Sequence, residues 1–273
     1  MPGEPMNTDK LPEIDPTAPG MKNALRMLRR TVQLEAQRVK EQDYIFGESE
    51  ERAMLYLHGG GFYLPAQAFS LRLAERYAKE LDCAVFVPEY PLVPDAGADE
   101  IFGFCLREYI KLREKYPKLI VYGESAGGAL ALGIALRARD EGISAPDGLM
   151  LIYPALDDRT DNEMPEAAWT ARANRLMWDS YLRNAPQEMV KYLAPMRHED
   201  FSGLPVTYVE AAELDILCTE ALQCAHRLGT EANIIRGAKH MFDAEAPLSF
   251  AQETIDKRIA FEENIYISDK KTP

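Results

Sequence analysis

Cysteine and histidine are scarce in this 273-residue chain, at four each. Cys83, Cys105, Cys218 and Cys224 form no Cys-x-x-Cys pair and no zinc-like spacing. They read as buried or half-buried thiols of a protein kept in a reducing cytoplasm. Also missing are His-Glu-x-x-His, the Gly-x-x-x-x-Gly-Lys-Ser/Thr loop and a Gly-x-Gly-x-x-Gly after a strand. Their absence removes the anchors of the common metalloprotease and nucleotide-binding readings, and neither metal nor cofactor is expected. No apolar run approaches the ~18 residues of a membrane span. Residues 1–20, rich in Pro, Asp, Glu and Thr, lack the apolar stretch of a signal peptide and read as a flexible start. Basic charge is short as well. Lys and Arg total 31 against 44 Asp and Glu, a formal net charge of −13, which argues against nucleic acid or an anionic membrane surface as partner.

What remains is a chain that is 47% hydrophobic and 27% charged, able to bury a sizeable core as one large α/β domain or two small ones. Met21, Leu25, Leu28, Val32 and Leu34 recur among charges and predict an amphipathic helix within 21–42. The stretch Asp43–Gly47 is ambiguous. Strand and helix then alternate. AMLYLHGGG reads as strand, Ser70–Leu81 as helix, AVFVPEY as strand and Glu100–Tyr116 as helix. KLIVYGES is strand, followed by an almost wholly apolar helix to about Asp140. GLMLIYP, PVTYVEAA and ANIIRG read as further strands, with a helix at about Thr219–Leu228 and a closing helix over FAQETIDKRIAFEENIYI. This rhythm predicts a doubly wound, mostly parallel sheet with helices on both faces. Residues 155–204 break it: no convincing strand, but helical patches holding Trp169, Trp178 and Tyr181. An insertion after a strand's carboxyl end sits over the active-site edge of such a sheet, so this segment is expected to be a cap.

Two glycine clusters carry chemistry. Gly123-Glu124-Ser125-Ala126-Gly127 fits Gly-x-Ser-x-Gly, with LIVY before it as strand and AGGALALGIAL after it as helix. That context is what a nucleophile elbow needs. The serine occupies a strained turn, so the residues two before and two after must be tiny. The turn lifts its hydroxyl to the sheet's top edge, at a helix N-terminus that favours developing negative charge. His58-Gly59-Gly60-Gly61 follows another strand. Three glycines leave main-chain N–H groups uncovered, able to converge on one oxygen as an oxyanion hole. A phosphate-cradling loop would want a helix start and a lysine next, and FYLPAQ offers neither. His58, before the glycines, reads as a brace for the loop and not as a general base.

The pairing of His-Gly-Gly-Gly with Gly-Glu-Ser-Ala-Gly-Gly resembles the hormone-sensitive-lipase-like family of α/β-hydrolases, in its microbial carboxylesterase branch. LIYPALD (151–157) is similar to the family's exit into the cap, and FSGLPVTYVEAAELDILCTEALQCAHRL is similar to its LPP…DPLRDEG passage. The resemblance covers roughly residues 50–260. It implies an α/β-hydrolase core of seven or eight strands over 43–154 and 205–273, with 21–42 standing where the family has cap helices. It also implies the chain order Ser, acid, His. His198 lies in the insertion and His226 in mid-helix, whereas His240 lies after the last strand and matches the family's Gly-x-x-His-x-Phe. Glu210, Glu213 and Asp215 are candidates for the acid. Asp215 occupies the family's Asp-Pro-Leu position and is preferred to Glu213, although Ile216 stands where proline is usual. The implied triad is Ser125, Asp215 and His240, with the amides of Gly60, Gly61 and Ala126 as oxyanion hole. A second departure is YPLVPDA (90–96) where the family has YRLAPE.

The expected function is a serine carboxylesterase that hydrolyses small short-acyl esters through an acyl-enzyme. Phe62 and Tyr63, after the oxyanion loop, and Trp178, in the cap, are the candidate substrate-contacting residues, with core packing the alternative for each. An amidase of the arylformamidase type on the same triad is the second reading, and a small-ligand receptor on an inactive scaffold the third. The family resemblance leaves a homodimer open and identifies no interface.

Overall fold

In the computed structural model of the chain, residues 11, 13–40, 44–244 and 249–267 are described. Seven strands form one sheet: β1 (Ile45–Phe46), β2 (Arg52–Leu57), β3 (Ala84–Phe86), β4 (Lys118–Glu124), β5 (Gly148–Ile152), β6 (Thr207–Leu214) and β7 (Ala232–Lys239). Their spatial order is β1-β3-β2-β4-β5-β6-β7. All neighbours run parallel except β1, which pairs antiparallel with β3. The helices are α1 (Met21–Ala36), α2 (Ala68–Leu81), α3 (Ala98–Lys115), α4 (Ala126–Glu141), α5 (Ala171–Tyr181), α6 (Val190–Leu193), α7 (Cys218–Leu228) and α8 (Ser249–Ile267).

The apolar strands follow from burial on both sheet faces. In β2, Ala53, Leu55 and Leu57 enter one core with Trp169, Trp178 and Tyr181, while Met54 and Tyr56 enter the other. A strand covered twice has no solvent side, so its sequence cannot alternate. Helix α4 is the central example: nearly every side chain from Ala126 to Leu136 is buried.

Order and register assemble the site. The connection leaving β2 runs to β3 and the one leaving β4 runs to β5, in opposite directions, so the winding reverses between β2 and β4, where such sheets open a crevice at their carboxyl ends. Leu57, the last residue of β2, pairs with Gly123, two residues before Ser125. The triple-glycine loop and the serine turn therefore leave the sheet side by side. On the other flank Leu214 pairs with Lys239, and the next residues along each strand are Asp215 and His240.

Several boundaries differ from expectation. The AVFVPEY strand keeps only Ala84–Phe86 in the ladder, followed by one further bond from Val87 N–H to Tyr44 O at 2.8 Å. Pro88 has no N–H to extend it. Helix α1 ends at Ala36, short of residue 42, and buries Leu25 and Ala36, whereas Met27, Leu28 and Leu34 stay exposed. Residues 1–10 and 12 of the expected flexible start, and Asp43 of the ambiguous stretch, lie outside the described residues. The rest of that start is docked on the insertion. Leu11 N–H donates to Ala168 O at 3.0 Å, Thr170 Oγ1 to Glu13 Oε1 at 2.8 Å, and Arg183 Nη2 to Thr17 Oγ1 at 2.8 Å.

Candidate active site

Ser125 links β4 to α4 with φ 51° and ψ −121°, a sparsely populated backbone state that persists only when its surroundings enforce it. Three main-chain bonds do so. Ser125 N–H donates to Ile152 O at 3.0 Å, and its carbonyl accepts from Gly128 and Ala155, each at 2.9 Å. The crowding expected of the flanking positions is present. A Cβ on Gly123 would lie 2.3 Å from Gly127 O, and one on Gly127 would lie 2.0 Å from Leu57 O.

Ser125 Oγ lies 2.8 Å from His240 Nε2, and His240 Nδ1 lies 2.5 Å from Asp215 Oδ2. The other Asp215 oxygen accepts from Leu217 N–H at 3.1 Å, so both oxygens of the carboxylate are engaged. His240 and Asp215 are each 1% exposed and Ser125 8%. The alternatives stand elsewhere. Glu213 accepts from Arg236 at 2.5 Å and from Gly237 N–H at 2.7 Å. Glu210 is buried against Arg258. His198 bonds Asp140 at 2.9 Å, and His226 is exposed on α7.

Tyr63 and Leu64 N–H both donate to Gly60 O, at 3.1 and 2.9 Å. Within a trans peptide the C=O and N–H point in opposite directions, so capturing Gly60 O aims Gly61 N–H away from the turn. Among the described residues, no protein acceptor takes the amides of Gly60, Gly61 or Ala126. The loop abuts the serine: a Cβ on Gly59 would lie 3.3 Å from Ser125 Cβ.

Glu124, the variable residue of the elbow, turns back under that loop. It accepts from Tyr56 Oη and Ser70 Oγ, each at 2.6 Å, and from Gly59 N–H at 3.2 Å. Burial, aided by the Asp243 charge, pushes its carboxyl above the usual range against these three bonds, which favour the charged form. His58 braces the loop as expected. Its Nδ1 lies 2.7 Å from Gly59 O, its ring stacks on Tyr90 with centroids 4.2 Å apart, and Tyr90 Oη donates to His58 O. Burial pushes the His58 imidazole down to about 4, so it is neutral at pH 7.

Sequence reasoning missed two supports for His240. Tyr153 presents its ring edge to the imidazole at 5.1 Å and donates its hydroxyl to Asp243 at 2.6 Å. Asp243, three residues beyond His240, accepts from the buried Arg258 of α8 at 2.8 Å, and Arg258 also grips Glu210 of β6. An arginine inside an otherwise ordinary closing helix is the one sequence signal that could have pointed there. From the segment between β5 and β6, Trp169 lies over His240 at 6.0 Å. Trp178 is instead packed near Phe62, which stacks on Tyr181 at 3.7 Å. Phe62, Tyr63 and Trp178 are buried in the main core, so the packing alternative describes their surroundings. Trp169 is the aromatic of the 155–204 segment whose ring lies against His240.

The α/β-hydrolase-fold family matches residues 54–242, and the chain belongs to it. "Esterase LipU" of Mycobacterium tuberculosis is 28% identical over 236 residues, which cover 78% of this chain and 77% of that protein. Mouse hormone-sensitive lipase is 31% identical over 108 residues, 37% of this chain and 14% of its own length. Among solved structures, esterase LipW of Mycobacterium marinum superposes with a TM-score of 0.80 at 22% identity, covering 96% of this chain and 98% of that one. A bacterial heroin esterase gives 0.78 at 23% identity, covering 93% and 94%. At these identities the structural likeness speaks for the fold.

Proposed function

We propose that this protein is a serine carboxylic ester hydrolase acting on small, short-acyl esters. The observation that carries the reading is the continuous line Ser125 Oγ–His240 Nε2, His240 Nδ1–Asp215 Oδ2, beside three amides that no described residue engages. The esterase names of its relatives point the same way.

In the proposed reaction His240 Nε2 takes the Ser125 proton as Oγ attacks the ester carbonyl. Asp215 accepts the Nδ1–H bond, fixes the tautomer and stabilises the imidazolium as it forms. The carbonyl electron pair moves to oxygen, where the amides of Gly60, Gly61 and Ala126 receive it. Each such donor is worth ~2.7–4 kcal/mol of barrier in comparable sites. The tetrahedral species collapses, the alkoxide leaves with the proton from His240, and an acyl–Ser125 ester remains. Water, deprotonated by the same imidazole, repeats the sequence and releases the acid.

Size selection rests on crowding. Ser125 is almost covered, Trp169 overlies His240, and the stacked Phe62–Tyr181 pair fills space beside the oxyanion loop. Two cavities of about 520 and 610 Å³ flank α1, and neither is lined by Ser125, Asp215 or His240. A series of p-nitrophenyl esters, run on wild type and Ser125→Ala, tests the reading. Turnover is expected from acetyl to hexanoyl and collapses for long chains, with none above background in the variant. Equal activity in the variant removes Ser125 from the reaction.

A further inference from the structure

The oxyanion loop holds a shape that its own sequence resists. Gly61 and Phe62 both have φ of +61°, and Phe62 is a bulky residue in the left-handed region. Such a conformation must be held from outside. One hold comes from the loop 90–96: Val93 N–H donates to Phe62 O at 2.9 Å. The other comes from the N-terminal helix. Arg29 of α1 donates Nε–H to Tyr63 O at 2.8 Å, Nη1–H to Asp95 Oδ2 at 2.8 Å, and Nη2–H to Val93 O. A single guanidinium thus ties together the carbonyl at the end of the oxyanion turn and two points of the loop 90–96, a loop with no cation of its own.

The contact reaches the proposed hole through two rigid peptide planes. Fixing Tyr63 O fixes the opposed Leu64 N–H, which donates to Gly60 O. Fixing Gly60 O in turn aims Gly61 N–H. We infer that Arg29 is a positioning residue for the oxyanion loop, acting through Tyr63 and the Gly60–Leu64 turn; this rests on the esterase reading above. Its chemistry requires the guanidinium: a planar fork offers divergent donors to three acceptors at once, whereas a lysine ammonium on its flexible stem reaches one or two. Lys22 also pairs with Asp95, at 3.2 Å, but it is well exposed and makes no contact with the oxyanion turn.

The test compares p-nitrophenyl acetate kinetics for wild type, Arg29→Lys, Arg29→Ala and Lys22→Ala, alongside binding of a trifluoromethyl ketone and thermal melts. Arg29→Lys and Arg29→Ala are expected to lose about 10- to 100-fold in kcat with KM within about twofold, the pattern of a misplaced transition-state donor. Ketone affinity should fall by the same factor as kcat/KM, and added guanidinium should restore part of the Arg29→Ala rate. Lys22→Ala should keep kcat. Wild-type kcat in Arg29→Lys overturns the inference. So does a loss in Lys22→Ala equal to that in Arg29→Lys, because the effect would then be helix docking and not aim of the loop. A wild type with no ester turnover sinks the esterase reading and the inference with it. An active wild type with an unaffected Arg29→Lys sinks the inference alone.

Discussion

Replacing Gly127 by alanine places a methyl group 2.0 Å from Leu57 O, 2.7 Å from Leu57 C and 2.8 Å from His58 O. All three atoms are backbone, so no side chain can swing aside. Real Cβ atoms essentially never approach closer than 3.0 Å, so the start of α4 and the end of β2 must part by about 1 Å. Those segments carry the two halves of the proposed oxyanion hole, Ala126 N–H on one and the Gly60 and Gly61 amides on the other. A misplacement of about 1 Å can cost 10²-fold in rate, and overpacking of this kind typically costs about 1–3 kcal/mol of stability. Gly127→Ala is therefore expected to lose at least about 100-fold in kcat/KM toward p-nitrophenyl acetate. Its Tm should fall by roughly 2–12 °C, since 1 kcal/mol is worth about 2–4 °C in a domain near this size. Calorimetry and steady-state kinetics on the same preparation read both. A variant with wild-type kcat/KM and Tm would refute the steric reasoning about the elbow.

Three other substitutions probe separate parts of the account. Glu124→Gln turns one of two acceptor oxygens into a donor facing Tyr56, Ser70 and Gly59. Denaturant unfolding should show a loss of about 1–3 kcal/mol, with reduced kcat, and an unchanged midpoint would mean the three contacts contribute nothing. His58 is held at about 4 against an ordinary 6.5 by burial, so the fold favours neutral imidazole. Its contribution is intact above 6.5, is lost as pH falls from there toward 4, and levels off below, at about 3 kcal/mol in all. Stability curves from pH 8 to 4 should therefore decline less steeply for His58→Gln than for wild type, and parallel curves would count against the buried neutral ring. Gly103 lies inside α3, and a methyl group added there would meet only the flexible end of Arg107, at 3.4 Å. Gly103→Ala should raise stability by about 0.5–1 kcal/mol without changing kcat, and a lower Tm would show that the site has no room.

The parts of the fold legible in the sequence are those where one chain segment constrains itself. The elbow is local: strand, strained serine and helix lie within a few residues, and Gly123 and Gly127 stand where an added Cβ would lie 2.3 and 2.0 Å from backbone oxygens. The triple glycine after β2 is legible for the same reason. Asp215 and His240 follow from chain order and family resemblance, and the pairing of Leu214 with Lys239 explains why those two positions meet. Contacts made across the fold leave no comparable trace. Arg29 reaches Tyr63 from a helix whose charged residues all look like solvent-facing partners. Arg258 meets Glu210 and Asp243, so that three separate segments converge. The choice between Trp169 and Trp178 depends on how residues 155–204 are wound, which neither periodicity nor composition fixes. The docking of Leu11, Glu13 and Thr17 on the segment between β5 and β6 is equally hidden, because a polar segment rich in proline looks the same in sequence whether free or tied down by hydrogen bonds.

If Ser125 is a nucleophile activated by His240 beside an oxyanion hole, a fluorophosphonate must label it, as read by intact mass and peptide mapping. One adduct per chain is expected, on the peptide carrying Ser125, with none in Ser125→Ala and greatly slowed labelling in His240→Ala. An unlabelled wild type, or an adduct on any residue other than Ser125, would contradict it.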